Sequence, residues 1–234
     1  MITARRPDAL PRHVGLIMDG NRRWARAAGH LDVSVGHRAG AEHLGDFLGW
    51  LERRGIEHAT VYVLSADNIR KRAGDEVDHL FRLLRTVVPE QVRSSTYWRL
   101  HVSGDLGLLP PATRTALEAA VAETVTRPGH LTLAIGYDPR ADIVAGIRAA
   151  VAAGGGDLDS DALSDAITDA LPGGPVKEID LVIRTSGEQR ISGFFPWQSQ
   201  HAEIHVSPRM WPAFTERDLD HALADFAARR VRRL

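Results

Sequence analysis

The chain contains no cysteine among its 234 residues. Disulfides, thiol nucleophiles and thiolate metal sites are therefore excluded. Lysine is almost missing too: Lys71 and Lys177 are the only two, although lysine and arginine together number 29. Its positive charge is thus nearly all guanidinium, a skew that coding bias alone can produce. Neither sign is in excess, since the formal net charge is -1. No global field recruits nucleic acid or an anionic membrane surface. No apolar run reaches the length of a membrane span, and the N-terminus shows no signal-peptide core. The expectation is a cytoplasmic protein with at most peripheral membrane contact and no nucleic-acid partner. Hydrophobic content of 44% and charged content of 25% are ordinary for a soluble globular protein. The length suits one large domain over residues 1–234, with a sizeable core.

Two stretches stand out. In His13-Val-Gly-Leu-Ile-Met-Asp-Gly-Asn-Arg-Arg-Trp24 an apolar run stops at a carboxylate, Asp19. A small turn and a basic, helix-compatible segment follow. The layout reads as a buried parallel strand delivering an acid and backbone N–H groups to the mouth of a site. A helix start there would favour an anion, most simply a phosphate. The plainer reading of Asp19 is an N-cap for that helix. The second stretch is Asp180-Leu-Val-Ile-Arg-Thr-Ser-Gly-Glu-Gln-Arg-Ile-Ser192, running on to Glu203. Here an apolar strand ends in Arg184 and Arg190, with a hydroxyl at Ser192 and a second carboxylate at Glu203. Arginines hold phosphate oxygens bidentately. Carboxylates hold Mg2+, which keeps waters and takes other ligands from substrate phosphates. A site with both should bind a metal–diphosphate.

Six strand-like runs are expected: Val14–Met18, Thr60–Leu64, Arg99–Val102, Leu131–Ile135, Asp180–Ile183 and Glu203–Val206. Helical patterns at Ala39–Arg54, Val77–Val92, Pro111–Thr126, Asp142–Ala152 and Asp161–Ala170 separate most of them. Such alternation predicts an α/β fold with a mostly parallel six-stranded sheet flanked by helices. A flexible insert is expected at Ala153–Ser160 and another break at Pro172–Pro175. Polar residues gather where the strands end: Asp19, Ser65 with Asn68, Tyr137 and Arg184. In open α/β sheets ligands bind outside those carboxyl ends.

The two stretches resemble the cis-prenyltransferases of the undecaprenyl diphosphate synthase type. The family pattern M-D-G-N-G-R-W-A is met by Met18-Asp-Gly-Asn-Arg-Arg-Trp-Ala25. The pattern D-L-x-I-R-T-G/S-G-E-x-R-x-S-x-F-x-x-W-Q-x-x-x-x-E is met from Asp180 to Glu203. Gly36-His-Arg-Ala-Gly40, Leu64-Ser-Ala-Asp-Asn68 against F-S-T-E-N, and Trp211-Pro-Ala-Phe214 also fit. The resemblance implies a Mg2+-dependent transferase that joins isopentenyl diphosphate to an allylic diphosphate and leaves a Z double bond. It also implies a hydrophobic tunnel inside the fold and a homodimer.

The resemblance further implies individual roles. Asp19 would hold Mg2+ against the allylic diphosphate, with Gly20, Asn21, Arg22, Arg23 and Trp24 lining the same pocket. The family usually has glycine where Arg22 stands. His37 would contact diphosphate; a lone histidine is otherwise more often structural. Ser65, Asp67 and Asn68 would serve condensation near the proton lost from isopentenyl diphosphate, with plain turn chemistry as the competitor. An aromatic normally follows the asparagine, where this chain has Ile69. Lys71 stands for a substrate-binding arginine, with Arg70 and Arg72 beside it, so the fork is lost or moved by a residue. Asp32 stands about where an arginine often helps bind diphosphate. Arg184, Arg190 and Ser192 look like the isopentenyl diphosphate clamp. Glu203 looks like the second Mg2+ ligand, reaching its own site or that of a dimer partner.

The stripe Val77, Leu80, Phe81, Leu84, Val87, Val88 has helical spacing and reads as core or tunnel wall. Val63 and Ile135 fall near positions where makers of long chains often have small residues, which points to a short or medium product. Three alternatives stay open. One is irregular coupling of two dimethylallyl diphosphates, as in lavandulyl-type synthases. Another is a silent partner subunit, although the C-terminal Arg229-Arg-Val-Arg-Arg-Leu234 lacks the R-x-G tail of some partner-dependent members. The last is a phosphatase with Asp19 as nucleophile; such enzymes commonly need a second Asp two residues on, where this chain has Asn21.

Overall fold

Strand residues here alternate between two cores, which is why short apolar runs form a sheet covered on both faces. In the computed structural model, residues 10–72, 74–155 and 158–231 are described. Six strands form one sheet: β1 (His13–Ile17), β2 (His58–Ser65), β3 (Trp98–Ser103), β4 (Gly129–Tyr137), β5 (Leu181–Arg184) and β6 (Glu203–Val206). The order is β3-β4-β2-β1-β5-β6 and every pairing is parallel. Val14, Leu16, Leu131, Leu133, Leu181 and Ile183 point into a large core with Leu44, Phe47, Leu48, Phe81 and Leu84. Ile17, Ala134 and Val182 point the other way, into a smaller core with Tyr137, Phe194 and Phe195.

The helices are α1 (Asn21–Ala27), α2 (Ser34–Arg53), α3 (Ala66–Lys71), α4 (Gly74–Arg85), α5 (Val87–Ser94), α6 (Pro111–Glu123), α7 (Pro139–Ala152), α8 (Ser160–Ala170) and α9 (Glu216–Val231). The sequence expects one helix over Val77–Val92; the chain instead breaks at Thr86, giving α4 and α5. The break swings Val88 toward the same cavity that Leu80 and Leu84 line. Helix α9 is not marked by any expectation from sequence. Its apolar Leu219, Ala222, Leu223 and Phe226 are buried but diluted by charge. The expected insert at Ala153–Ser160 is partly described: Ser160 opens α8, and positions 156 and 157 lie outside the described residues, as do 232–234 of the C-terminal tail.

Two close approaches position the site. Gly36 and Gly40 lie one turn apart on α2, where α1 presses against it. A Cβ at Gly36 would stand 2.0 Å from the Asn21 carbonyl oxygen, and one at Gly40 2.4 Å from Asn21 Oδ1. The second device is in β2. Its register against β4 slips between Tyr62 and Leu64 and again before Ser65. A regular strand shows one face only every second residue. The bulge lets Tyr62, Val63, Leu64 and Ser65 all line one cavity.

The other edge of the sheet carries a row of histidines. His13 Nε2 and Thr60 Oγ1 are 2.8 Å apart, and His13 Nδ1 lies 3.0 Å from the Glu178 carbonyl. The His58 and His130 rings stack at 5.2 Å, and His130 Nδ1 meets His101 Nε2 at 2.9 Å. Burial, together with neighbouring positive charge, lowers the His13 pKa to about 3 and the His101 pKa to about 4.

Candidate active site

A cavity of about 400 Å³ opens at the carboxyl ends of β1, β2 and β5. Its polar rim includes Asp19, Asn21, His37, Ser65, Asp67, Asn68, Arg72, Arg184 and Ser192. Its inner wall is apolar: Leu44, Val63, Leu80, Leu83, Leu84 and Val88. That volume lies in the usual range for small-molecule sites.

Asp19 follows β1 and is held by the chain on both sides. Its N–H donates to Thr185 Oγ1 at 2.9 Å, and that hydroxyl donates to the Asp19 carbonyl at 2.7 Å. The same carbonyl accepts from Trp211 N–H at 3.0 Å. Gly20 has φ +103°, a left-handed conformation that glycine adopts without Cβ strain. Its N–H donates to Asp19 Oδ1 at 2.7 Å. Arg184 donates to Asp19 Oδ2 at 2.8 Å, and Arg23 lies 3.3 Å from Oδ1. Partial burial opposes ionisation of Asp19. The Arg184 hydrogen bond and charge, with Arg23 and the Gly20 N–H, outweigh it and hold the pKa below the usual carboxylate range.

Arg184 is 5% exposed. One guanidinium nitrogen donates to Ser192 Oγ at 2.8 Å and also to the Arg190 carbonyl. Its Nε–H has no acceptor among the described residues. Ser192 sits at φ +48°, a left-handed position that brings its hydroxyl under this fork. On the facing side Ser65 caps α3, its hydroxyl accepting from Asn68 N–H at 3.0 Å. The turn chemistry is therefore present, and it holds Ser65 and Asn68 together on the cavity wall.

Other expected residues lie elsewhere. Arg22 reaches Glu76 at 3.7 Å. Trp24 stacks on His30, with centroids 6.4 Å apart, and is absent from the cavity wall. Lys71 is exposed, pairs with Asp67 at 2.6 Å and stays outside the cavity, whereas Arg72 lines it. The fork has thus moved by one residue. The Arg190 side chain points to solvent and pairs with Glu188 at 2.9 Å; its contribution to the site is the carbonyl beside Arg184. Glu203 pairs across the sheet with Leu181, which is level with Val14 at the far end of β1. Five residues of strand separate that level from Asp19, about 16 Å at ~3.3 Å per residue. Glu203 and Asp19 of one chain cannot share an ion. Within its own chain Glu203 meets Arg229 at 3.2 Å.

Three contributors escape a reading of the sequence. Thr185 follows the strand arginine and passes as spacing. Tyr62 reads as strand interior. Glu76 looks like a solvated acid in the first turn of α4, yet it is 14% exposed and meets His37 at 2.9 Å and Arg72 at 2.8 Å.

Among the described residues no group of three or more His, Cys, Asp or Glu side chains is placed to cage a metal. The ionised Asp19 carboxylate beside Arg184, whose Nε–H is unused, does fit a hard cation brought in with a diphosphate. Mg2+ is commonly held by one or two carboxylates together with substrate phosphates. Asp19 would be that ligand.

The sequence profile of the undecaprenyl diphosphate synthase family matches residues 17–234. An isoprenyl transferase of Streptomyces fradiae is 42% identical, over 95% of this chain and 90% of that protein. A (2Z,6E)-farnesyl diphosphate synthase of Mycobacterium tuberculosis H37Rv is 40% identical, over 94% and 86%. Among solved structures, lavandulyl diphosphate synthase from Lavandula x intermedia, in complex with dimethylallyl diphosphate, superposes with a TM-score of 0.82. It is 33% identical, and the match covers 94% of this chain and 97% of that one. The architecture, the site at the strand ends and these likenesses agree: the chain belongs to the undecaprenyl diphosphate synthase family of prenyltransferases and is an isoprenyl diphosphate synthase.

Proposed function

We propose that this enzyme condenses isopentenyl diphosphate with an allylic diphosphate, in the presence of Mg2+, to a short-chain Z-prenyl diphosphate. One observation carries the reading: a single cavity joins an ionised, arginine-rich rim to a wall of leucine and valine side chains. Such a site suits a molecule with an anionic head and a hydrocarbon tail. The buried Arg184 Nε–H, without an acceptor among the described residues, is a donor waiting for an oxyanion.

The residues divide the work by position. Asp19, Asn21, Arg23 and the Gly20 turn hold the allylic diphosphate; Asp19 would also hold Mg2+, which would supply neutralisation of the leaving-group charge. His37 and Arg72 face the same space and add donors to phosphate oxygens. The allylic C–O bond breaks and leaves an allylic cation, which the apolar wall shields from water. Arg184 and Ser192 hold the second diphosphate so that the homoallylic double bond lies over that cation. Asn68 and Ser65, with Asp67 nearby, flank the carbon that loses its proton, which the released diphosphate takes up once the new bond forms. On this reading the distant Glu203 would hold a metal only in the site of a second copy, in a homodimer.

The irregular coupling of two dimethylallyl units is the second reading, favoured by the likeness to a lavandulyl diphosphate synthase. One experiment separates them. Labelled isopentenyl diphosphate is supplied with dimethylallyl, geranyl or farnesyl diphosphate and Mg2+, and the dephosphorylated products are sized. A short product that requires isopentenyl diphosphate supports the proposal. Product from dimethylallyl diphosphate alone supports irregular coupling, and no product in any tube overturns both.

A further inference from the structure

Glu76 has no task in the reaction just described, yet three other elements converge on it. It lies in the first turn of α4 at the mouth of the cavity. Its Oε1 shares a hydrogen bond with His37 Nε2 from α2 at 2.9 Å and accepts from Arg72, at the end of α3, at 2.8 Å. Arg22 from α1 stands 3.7 Å from Oε2. Burial works against its ionisation, but the His37 hydrogen bond and the Arg72 and Arg22 charges prevail and keep its pKa low.

His37 and Arg72 line the cavity; Glu76 is not among the lining residues. The two donors that should greet a diphosphate are therefore already turned to an anion of the protein. Carboxylate and phosphate oxygens are recognised by the same forked and imidazole N–H groups. A ligand that needs donors already engaged binds with only the difference between the two sets of interactions. Beside Arg72, Arg22 supplies a second cation to the same carboxylate.

We propose that Glu76 is a built-in competitor of the substrate diphosphate. It holds Arg22, His37 and Arg72 in the free enzyme, lowers affinity for the anionic head and hastens departure of the diphosphate-bearing product. The proposal rests on the diphosphate site described above. Its rival is a scaffold role, in which Glu76 merely orients the donors and its loss weakens binding. The two roles differ in sign.

The test is calorimetric titration of the full chain with inorganic pyrophosphate, with and without Mg2+. Glu76→Gln should tighten binding about tenfold, equivalent to ~1.4 kcal/mol. Glu76→Asp, one methylene short of its three partners, should tighten it by a smaller factor, about threefold. The KM for the allylic diphosphate should fall in the same order. Equal or weaker pyrophosphate binding in either folded variant overturns the proposal, and the aspartate variant decides if the glutamine variant does not fold. A wild-type protein that transfers prenyl groups but shows a flat or reversed order sinks the competition alone. One that shows the expected order without any prenyl transfer sinks the reaction alone. Absence of pyrophosphate binding in all three proteins overturns both.

Discussion

Substitution of Gly36 by alanine tests how closely α1 and α2 must approach for the site to exist. The added Cβ would stand 2.0 Å from the Asn21 carbonyl oxygen and 2.8 Å from its carbon. Backbone cannot rotate aside as a side-chain tip can, so α1 must retreat by about 1 Å to restore ordinary contact. Asn21 is two residues from Asp19, and the retreat carries the Asp19 turn with it. Overpacking of this kind costs about 1–3 kcal/mol. For a domain of this size the melting temperature should fall by about 2–12 °C. A displacement of about 1 Å at reacting groups lowers kcat/KM by about a hundredfold. Gly45→Ala is the control on the same helix. Its Cβ would meet the flexible Gln91 side chain, with Oε1 at 2.2 Å and Cδ at 3.3 Å. Alanine is the better helix former by roughly 0.8–1 kcal/mol, so that variant should be neutral or slightly stabilised. Calorimetric melting and steady-state prenyl transfer measure both effects. A Gly36→Ala enzyme with wild-type melting temperature and kcat/KM would refute the argument.

Further outcomes follow from other parts of the fold. Asp19→Asn keeps the shape and an acceptor for Arg184 but removes the charge; turnover should drop about a thousandfold, ~4 kcal/mol, with the fold intact by circular dichroism. Retained turnover would remove Asp19 from the reaction. Val63→Ala should lengthen the product by at least one isoprene unit on chromatography, because Val63 lines the cavity. Ile135 is fully buried in the core and is not on that wall. Ile135→Ala should instead destabilise the protein by about 2–5 kcal/mol with product length unchanged. His13 has its pKa lowered to about 3 by burial, next to His58. The unfolded chain takes up that proton near pH 6.5 and the folded one does not. Stability should therefore be constant above about pH 6.5 and fall as the pH drops toward 4, by roughly 1.4 kcal/mol per pH unit for this group. A denaturation midpoint that stays flat from pH 7 to 4.5 would contradict the assignment.

All six strands are legible in the sequence as short runs rich in apolar residues; β1, β4 and β5 are buried nearly throughout and β2 mostly so, whereas the edge strands β3 and β6 are only partly buried, with Ile204 exposed. Asp19 and Arg184 are legible for the same reason: each ends or immediately follows such a run, and charge placed there has to face a site. The break at Thr86 is not legible, since Val77–Val92 keeps an apolar stripe through it and only the packing of Val88 reveals the turn. Helix α9 is hidden by charge density around a thin stripe of Leu219, Leu223 and Phe226. Lys71 ends α3, whereas Arg72 follows it with extended backbone and reaches the cavity, a change of conformation that spacing cannot encode. Glu76 is hidden most completely. Its partners come from three other elements, so its burial is a property of the tertiary structure alone.

The central place of β1 has a consequence for synthesis. Its neighbour β2 follows within a few tens of residues, but its other neighbour, β5, begins at Leu181, and Arg184 lies 165 positions after the Asp19 it holds. At 5–20 residues per second a ribosome needs about 10–30 s to cover that stretch. During this interval β1 offers one open parallel edge, the kind of surface that recruits foreign strands. Ordering across so long a loop is also intrinsically slow. A nascent chain released before β5 would hold the first carboxylate of the site without the arginine opposite, and its growing sheet would be a client for chaperones rather than an enzyme.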